Sequence, residues 1–410
     1  MKCEWREVKL QDVALELSDG LHKAPIFYPN GEYIFVNATN IENGWIVEKD
    51  PSKRTSLEEF LKYGVDLTDR TILYSIDGTI GNIAKYRGEK CLLGKGACYI
   101  TLDDSVDMDY MYYLLQSPIF NEYIHTMSTG STIRHISLKT MRNFKFQLPP
   151  IVRQKQIGNV LGSIDNKIEL NNRINENLEQ QAQAIFKSWF IDNSEAVTWR
   201  FGTFSELIER TIGGDWGKES PSGNNTEMVY CIRGADIPDV RAGNKGKMPT
   251  RYILPKNYAV KQLVDGDIVV EISGGSPTQS TGRVAAISTS LLNRYDKGMV
   301  CTNFCKALKP IPGYSMYVYY YWQYLYDMGV FFSYENGTTG IKNLDISGFI
   351  ETESIRIAPR ELVEKFDSFC QTVFSKVYAN GLENERLSSL RDNLLPKLMS
   401  GEINVEDVRI

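Results

Sequence analysis

The feature that most constrains this chain is that it is one unit written twice. Trp5-Arg6, followed by Leu10 and Val13, recurs as Trp199-Arg200, followed by Phe204 and Leu207. Val36-Asn37-Ala38-Thr39-Asn40-Ile41 recurs as Ile232-Arg233-Gly234-Ala235-Asp236-Ile237, and Ile133-Arg134-His135-Ile136 recurs as Ile341-Lys342-Asn343-Leu344. The segment from Leu67 to Gly78 tracks that from Leu263 to Gly274. The order never breaks, and the widening separation places small insertions in loops of the second copy such as Gly274 to Gly282. Self-similarity of this kind implies one fold built twice.

Each copy mixes short β-rich runs with helix. Asp69-Arg70-Thr71-Ile72-Leu73 and Asp265-Gly266-Asp267-Ile268-Val269 both read as a turn into a short apolar strand that ends in a glycine loop. Tyr110 to Gln116 and Tyr317 to Asp327 read as helices with Tyr and Leu on one face, the pattern of core packing. Leu148-Pro149-Pro150 and Ile357-Ala358-Pro359 close the two globular copies.

After the first proline exit the next proline is Pro221 and after the second it is Pro396, and along each long proline-free stretch apolar residues alternate spacings of four and three. The first series is Ile157, Leu161, Ile164, Ile168, Asn171, Asn175, Leu178, Ala182, Ile185 and Trp189. The second is Phe366, Cys370, Val373, Val377, Asn380, Asn384, Leu387, Arg391, Leu394 and Leu398. Each is a heptad seam, interrupted by asparagines at the same two places. An antiparallel pairing sets Ile157 against Leu398, Asn171 against Asn384 and Asn175 against Asn380, so that mid-seam amides bond one another and fix the register. Arg391, opposite Ile164, is expected to lay its stem along the seam and send its charge to solvent. Gly381 marks a place where the second helix could bend or break.

The fold class expected is therefore α/β in the α+β sense. Two mixed α/β heads are joined by two long helices packed as an antiparallel coiled coil, in a pseudo-twofold arrangement. The expected segments are 1–150, 151–192, 193–359 and 360–410. A helix from Arg153 to Ile191 would be roughly 58 Å long at ~1.5 Å per residue. That length spans about 17 base pairs of duplex. Two reading heads on such a spacer suit a split target with an unread gap, and because the heads differ the half-sites should differ.

A net charge of −5 shows that a general basic balance is absent. Two stretches nevertheless lack acids altogether. Tyr123 to Ile164 carries Arg134, Lys139, Arg142, Lys145, Arg153 and Lys155, and Val240 to Val264 carries Arg241, Lys245, Lys247, Arg251, Lys256 and Lys261. These are either solvated faces or local strips that neutralise phosphates. Seven cysteines without a CxxC pair fit reduced thiols and a cytoplasmic location. Cys301 and Cys305 could share a helix face, but no histidine is near them among the three in the chain, so no zinc site is expected. No apolar run follows the basic residues at the start, which argues against a signal peptide. Tyr314 to Phe332 is interrupted by Gln323, Asp327 and Gly329, and reads as a buried helix with no membrane role.

Chemistry is hard to find. Leu148-Pro149-Pro150-Ile151 lacks the polar lead and the aromatic of an adenine-methyltransferase motif. Gly274 to Arg283 is glycine-rich but has no lysine where a phosphate-cradling loop needs one. Asp265 and Asp267 head a strand, where turn formation accounts for them. Neither a catalytic site nor a cofactor or metal is expected.

The doubled architecture, together with several local segments, resembles the specificity subunits of type I restriction-modification enzymes across the whole chain. Those segments are Ser18-Asp19-Gly20-Leu21-His22 with Pro25, Asn40-Ile41-Glu42-Asn43-Gly44, Asp77-Gly78-Thr79-Ile80-Gly81 and Gly130-Ser131-Thr132-Ile133. Pro149-Pro150 with Gln154, Gln156 and Ile157 adds to them, as does Leu394-Leu395-Pro396-Lys397-Leu398-Met399-Ser400-Gly401-Glu402-Ile403. Arg153 departs from the family, which often has glutamate there. The resemblance implies two target-recognition domains, each reading one half of a split site in double-stranded DNA. It also implies that the helices carry two methylation subunits and, through them, the restriction subunits.

Residues expected to meet DNA are His22 and Lys23 beside Gly20, and Ser131, Thr132, Arg134 and His135 with their counterparts Thr338, Thr339, Lys342 and Asn343. Ser276, Thr278, Gln279 and Arg283 complete the set in the second copy. The bland alternative for each is a solvated turn residue. The competing reading of the chain is a coiled-coil scaffold with two protein-binding heads and no nucleic-acid role.

Overall fold

The computed structural model describes residues 5–127, 135–276, 278–337 and 341–408. The chain divides into two compact units, Met1–Asn166 with Ser388–Ile410, and Lys167–Leu387.

In the first unit, β1 (Ala14–Asp19), β2 (Thr71–Ser75), β3 (Ile83–Lys85) and β4 (Ala97–Leu102) form an antiparallel sheet in the order β1-β4-β2-β3. The central strands β2 and β4 are buried along their whole length. That explains why Ile72, Leu73 and Tyr74 run on without polar alternation. Tyr33–Val36 pairs in parallel with Cys91–Leu93 and antiparallel with Arg54–Thr55. Arg6–Lys9 pairs with Lys145–Leu148, which ties the start of this unit to its exit. Leu17, Ile72, Ile100, Tyr110, Phe120 and Phe144 share the core.

The second unit repeats each of these pairings. Its strands β5 (Ile208–Gly213), β6 (Ile268–Glu271), β7 (Val284–Ala286) and β8 (Cys305–Pro310) lie in the order β5-β8-β6-β7. Glu227–Ile232 pairs in parallel with Met299–Cys301 and antiparallel with Thr250–Ile253, and Phe201–Thr203 pairs with Ser354–Arg356. Cys301 therefore ends one strand and Cys305 begins another, with both thiols buried, so they do not share a helix face.

The copies diverge where local residues dictate it. Asn43-Gly44, at φ 50° and 84°, makes the tight turn of a hairpin between Ile41–Glu42 and Trp45–Ile46. At the matching place Pro238 lacks a donor and starts the helix Ile237–Arg241.

The long helices run from Ile151 to Phe186 and from Arg360 to Ser400, each beginning just past a proline. In the second unit they pack antiparallel. Asn171 donates to Asn384 at 2.9 Å, and Asn380 donates to Asn175 at 2.8 Å. Val373, Val377 and Phe366 are buried there, while Leu178 and Ile185 are half-buried. Next to Ile185 and Trp189, it is Phe186 and Phe190 that are fully buried. A helix of 3.6 residues per turn drifts off a strict heptad by this much.

In the first unit Ile157, Leu161, Leu395 and Leu398 share one core, with Ile164 buried and Leu394 packed against that core. Ile168 and Leu387 lie half-buried farther along the two helices. Two expectations need correction. Arg391 does not simply reach solvent: it binds Asp165 at 2.7 Å, and Asp165 in turn accepts the Tyr113 hydroxyl at 2.6 Å. The second helix also continues unbroken through Gly381. Gly401, at φ 73°, terminates that helix, and Asn404 caps the short turn Val405–Asp407.

Candidate nucleic-acid interface

One end of each sheet gathers polar loops. In the first unit β1 and β2 end there and β4 begins there, because Asp19 pairs with Cys98 and Ser75 with Ala97. Gly20 passes so close to the next segment that a Cβ would stand 2.2 Å from the Leu93 carbonyl. Only glycine fits, and the Leu21 N–H is then free to donate to Leu93 at 2.7 Å while Lys95 donates back to Leu21 at 3.0 Å. This stitch presents His22 and Lys23 at the sheet end.

His22 remains 65% exposed and lies 3.0 Å from Asp19. Lys23 donates to the Tyr63 hydroxyl at 2.9 Å. The hydrogen bonds from Lys23 and Lys62 hold that phenol below its ordinary pKa. Asp77, just past β2, pairs with His135 and lies 4.0 Å from Lys95. Ser131, Thr132 and Arg134 lie outside the described residues.

The second unit uses the same backbone. A Cβ on Gly214 would stand 1.9 Å from the Thr302 carbonyl, and Asp215 donates to Cys301 at 2.8 Å, as Leu21 does to Leu93. Trp216 thereby takes the place of His22, with the Arg251 guanidinium stacked 3.6 Å from its ring centre. Ser273–Gly274 pairs with Lys342–Leu344, and the Ser273 hydroxyl donates to Asn343. Lys342 binds Glu335 at 2.8 Å. Burial pushes the Glu335 carboxyl up, but Lys342 and the Thr281 N–H and hydroxyl outweigh it, and its pKa sits below the usual range. Beside Lys342, the Gln279 N–H closes a turn on the Ser276 hydroxyl at 3.0 Å, leaving Thr278 and Gln279 exposed. Thr338 and Thr339 lie outside the described residues.

Arg283 is placed differently from the rest. It forks onto both Glu271 oxygens at 2.7 Å and onto the Gly234 carbonyl at 3.2 Å, with Glu271 only 7% exposed. That guanidinium is committed inside the unit. The structure thus brings His22, Lys23 and His135 to one sheet end. Ser276, Thr278, Gln279, Lys342 and Asn343 gather at the other.

Sequence reasoning missed Lys95 in the first unit, and Trp216, Arg233, Asn303 and Phe304 around a cavity of about 430 Å³ in the second. Its signal was the repeat itself: Thr302-Asn303-Phe304 stands where the first copy has Gly94-Lys95-Gly96. His135 with Asp77 has the composition of a nucleophile-activating pair, yet Asn343 with Ser273 makes the same cross-strand bond in the second unit without a titratable ring. The pair reads as a stitch between strands. Among the described residues, no group of three or more His, Cys, Asp or Glu is placed to hold a metal. No helix among them is long and apolar enough to cross a membrane.

Residues 2–180 match the family model of the type I restriction modification DNA specificity domain. The chain is 27% identical over 405 residues to the type I restriction enzyme MjaIX specificity subunit of Methanocaldococcus jannaschii, across 92% of this chain and 85% of that protein. It is 24% identical, over an alignment of 481 positions, to the type I restriction enzyme HindI specificity subunit of Haemophilus influenzae, across 98% of this chain and 100% of that one. The crystal structure of a type I restriction-modification system S subunit from M. genitalium superposes with a TM-score of 0.57 at 17% identity, covering 97% of this chain and 96% of that one. That likeness is one of fold.

Proposed function

We infer that the chain belongs to the specificity subunits of type I restriction-modification enzymes, and from that premise its function is sequence-specific recognition of a bipartite target in double-stranded DNA. It performs no catalysis and directs the methylation and restriction subunits of the complex. The observation that carries this reading is a shared backbone with unlike side chains at one sheet end of each unit. Gly20 and Gly214 make the same stitch, yet His22, Lys23 and Lys95 emerge from one and Trp216, Asn303 and Phe304 from the other. A scaffold for reading two different half-sites needs a constant frame and variable tips.

We take 1–150 and 193–359 as the recognition domains, with 151–192 and 360–410 as helical spacers that set the gap and carry two methylation subunits in a cytoplasmic complex. The proposed contacts to DNA are His22, Lys23 and His135 in the first unit and Ser276, Thr278, Gln279, Lys342 and Asn343 in the second, together with Ser131, Thr132, Arg134, Thr338 and Thr339, which lie outside the described residues. Arg283 is not among these contacts, because its guanidinium is held by Glu271 and the Gly234 carbonyl. The test is binding of the complex with its methylation subunit to random and to genomic duplex fragments. One bipartite sequence should be enriched and bound at least a thousandfold, roughly, above random duplex. Equal affinity for all duplexes, or none for any, would refute the reading.

A further inference from the structure

We propose that the Asn303-Phe304 turn reads an A·T base pair in the half-site of the second unit, an inference that rests on the DNA-recognition function above. The turn is pinned from both sides. The Phe304 N–H donates to the Thr302 hydroxyl at 3.2 Å and the Cys305 N–H to the Thr302 carbonyl at 2.9 Å. The Phe304 carbonyl accepts from Ile272 at 2.9 Å and from Ser273 at 3.3 Å. With its backbone held this firmly, Phe304 is still 59% exposed. Asn303 is exposed beside it, and its amide has no hydrogen-bond partner among the described residues.

The frame does not need either side chain. In the first unit Gly96 accepts from Ile76 at 3.1 Å, as Phe304 accepts from Ile272, and Lys95 stands where Asn303 does. A glycine in one copy and an exposed phenylalanine in the other, on one backbone position, place the difference in what the tip touches. In the major groove adenine offers N7 and N6 to an asparagine amide, and its thymine partner offers a 5-methyl group to an apolar ring. Asn303 and Phe304 are that pair of groups on adjacent residues. Carboxylates nearby are neutralised, Glu271 by Arg283 at 2.7 Å and Asp236 by Arg233 at 2.9 Å, so the surface does not repel phosphates.

The test uses the methylation-subunit complex and its own target, with the second half-site identified by exchanging residues 193–359. Each thymine of that half-site is replaced in turn by deoxyuridine, and each adenine by 7-deazaadenine. Affinities are then measured for the native chain, Phe304→Ala, Phe304→Leu and Asn303→Ala. One deoxyuridine position should weaken native binding roughly tenfold and leave Phe304→Ala no weaker than it already is, while Phe304→Leu keeps part of the effect. The partner adenine should behave likewise with Asn303→Ala. Phe304→Ala binding like the native chain, or losses that simply add at every position, would overturn the inference while leaving DNA recognition intact. A native complex without any preferred sequence would overturn both.

Discussion

Asn175 uses one amide to hold three groups. It donates to the Val377 carbonyl and to the Ala242 carbonyl, each at 3.1 Å, and accepts from Asn380 at 2.8 Å. Asn175→Leu would leave buried polar groups without partners at a cost of about 1–3 kcal/mol. A urea titration checks this, and an unchanged midpoint would contradict it. Arg283→Ala strands the Glu271 carboxylate, so about 3–5 kcal/mol of stability should be lost in the same assay. Asp236 gives a pH signature. Burial raises its pKa, but Arg233 and the N–H groups of Lys247 and Arg233 outweigh burial and hold it below the usual aspartate range. Since the folded value lies below the unfolded one, its contribution is present at neutral pH and fades as pH falls through the acid range. The stability gap between the native chain and Asp236→Asn should therefore narrow on acidification, whereas a constant gap would contradict the assignment. The asparagine pairs were legible because a polar residue inside an apolar period stands out. Arg391 was not, since its partner Asp165 sits beside the seam. Phe304 was hidden because an exposed position obeys no burial period.

The element most unlike its counterpart is the segment after Ile237. Its helix ends in a loop where Gly243, at φ 82°, lies against the second long helix. A Cβ on Gly381 would stand 1.9 Å from the Gly243 carbonyl, which also accepts from Arg294 at 2.7 Å. Gly381 costs helix propensity, about 1 kcal/mol against alanine. The close approach explains why it is tolerated. Gly381→Ala should therefore destabilise by roughly 1–3 kcal/mol despite the better propensity. A higher unfolding midpoint would show that propensity wins and that the contact is dispensable. The long helices were legible from their periods, and the strands after Asp69 and Asp265 from a turn leading into an apolar run. That Pro238 would turn the matching hairpin into a helix docked on Gly381 was not, because the docking partner lies far along the chain.

At the scale of the whole molecule, net charge is negative while the proposed interfaces are locally neutral or basic. Binding should still weaken with added salt, with a modest slope because few phosphates are neutralised. A salt-independent affinity would contradict phosphate contacts. The central claim is that each recognition domain reads its own half of the target on an interchangeable frame. The most direct measurement replaces residues 193–359 with the matching domain of a relative and sequences the methylated genome of cells carrying the hybrid. One half-site should change, while the other half and the gap between them stay as they were. Both halves changing together, or neither changing, would contradict the account.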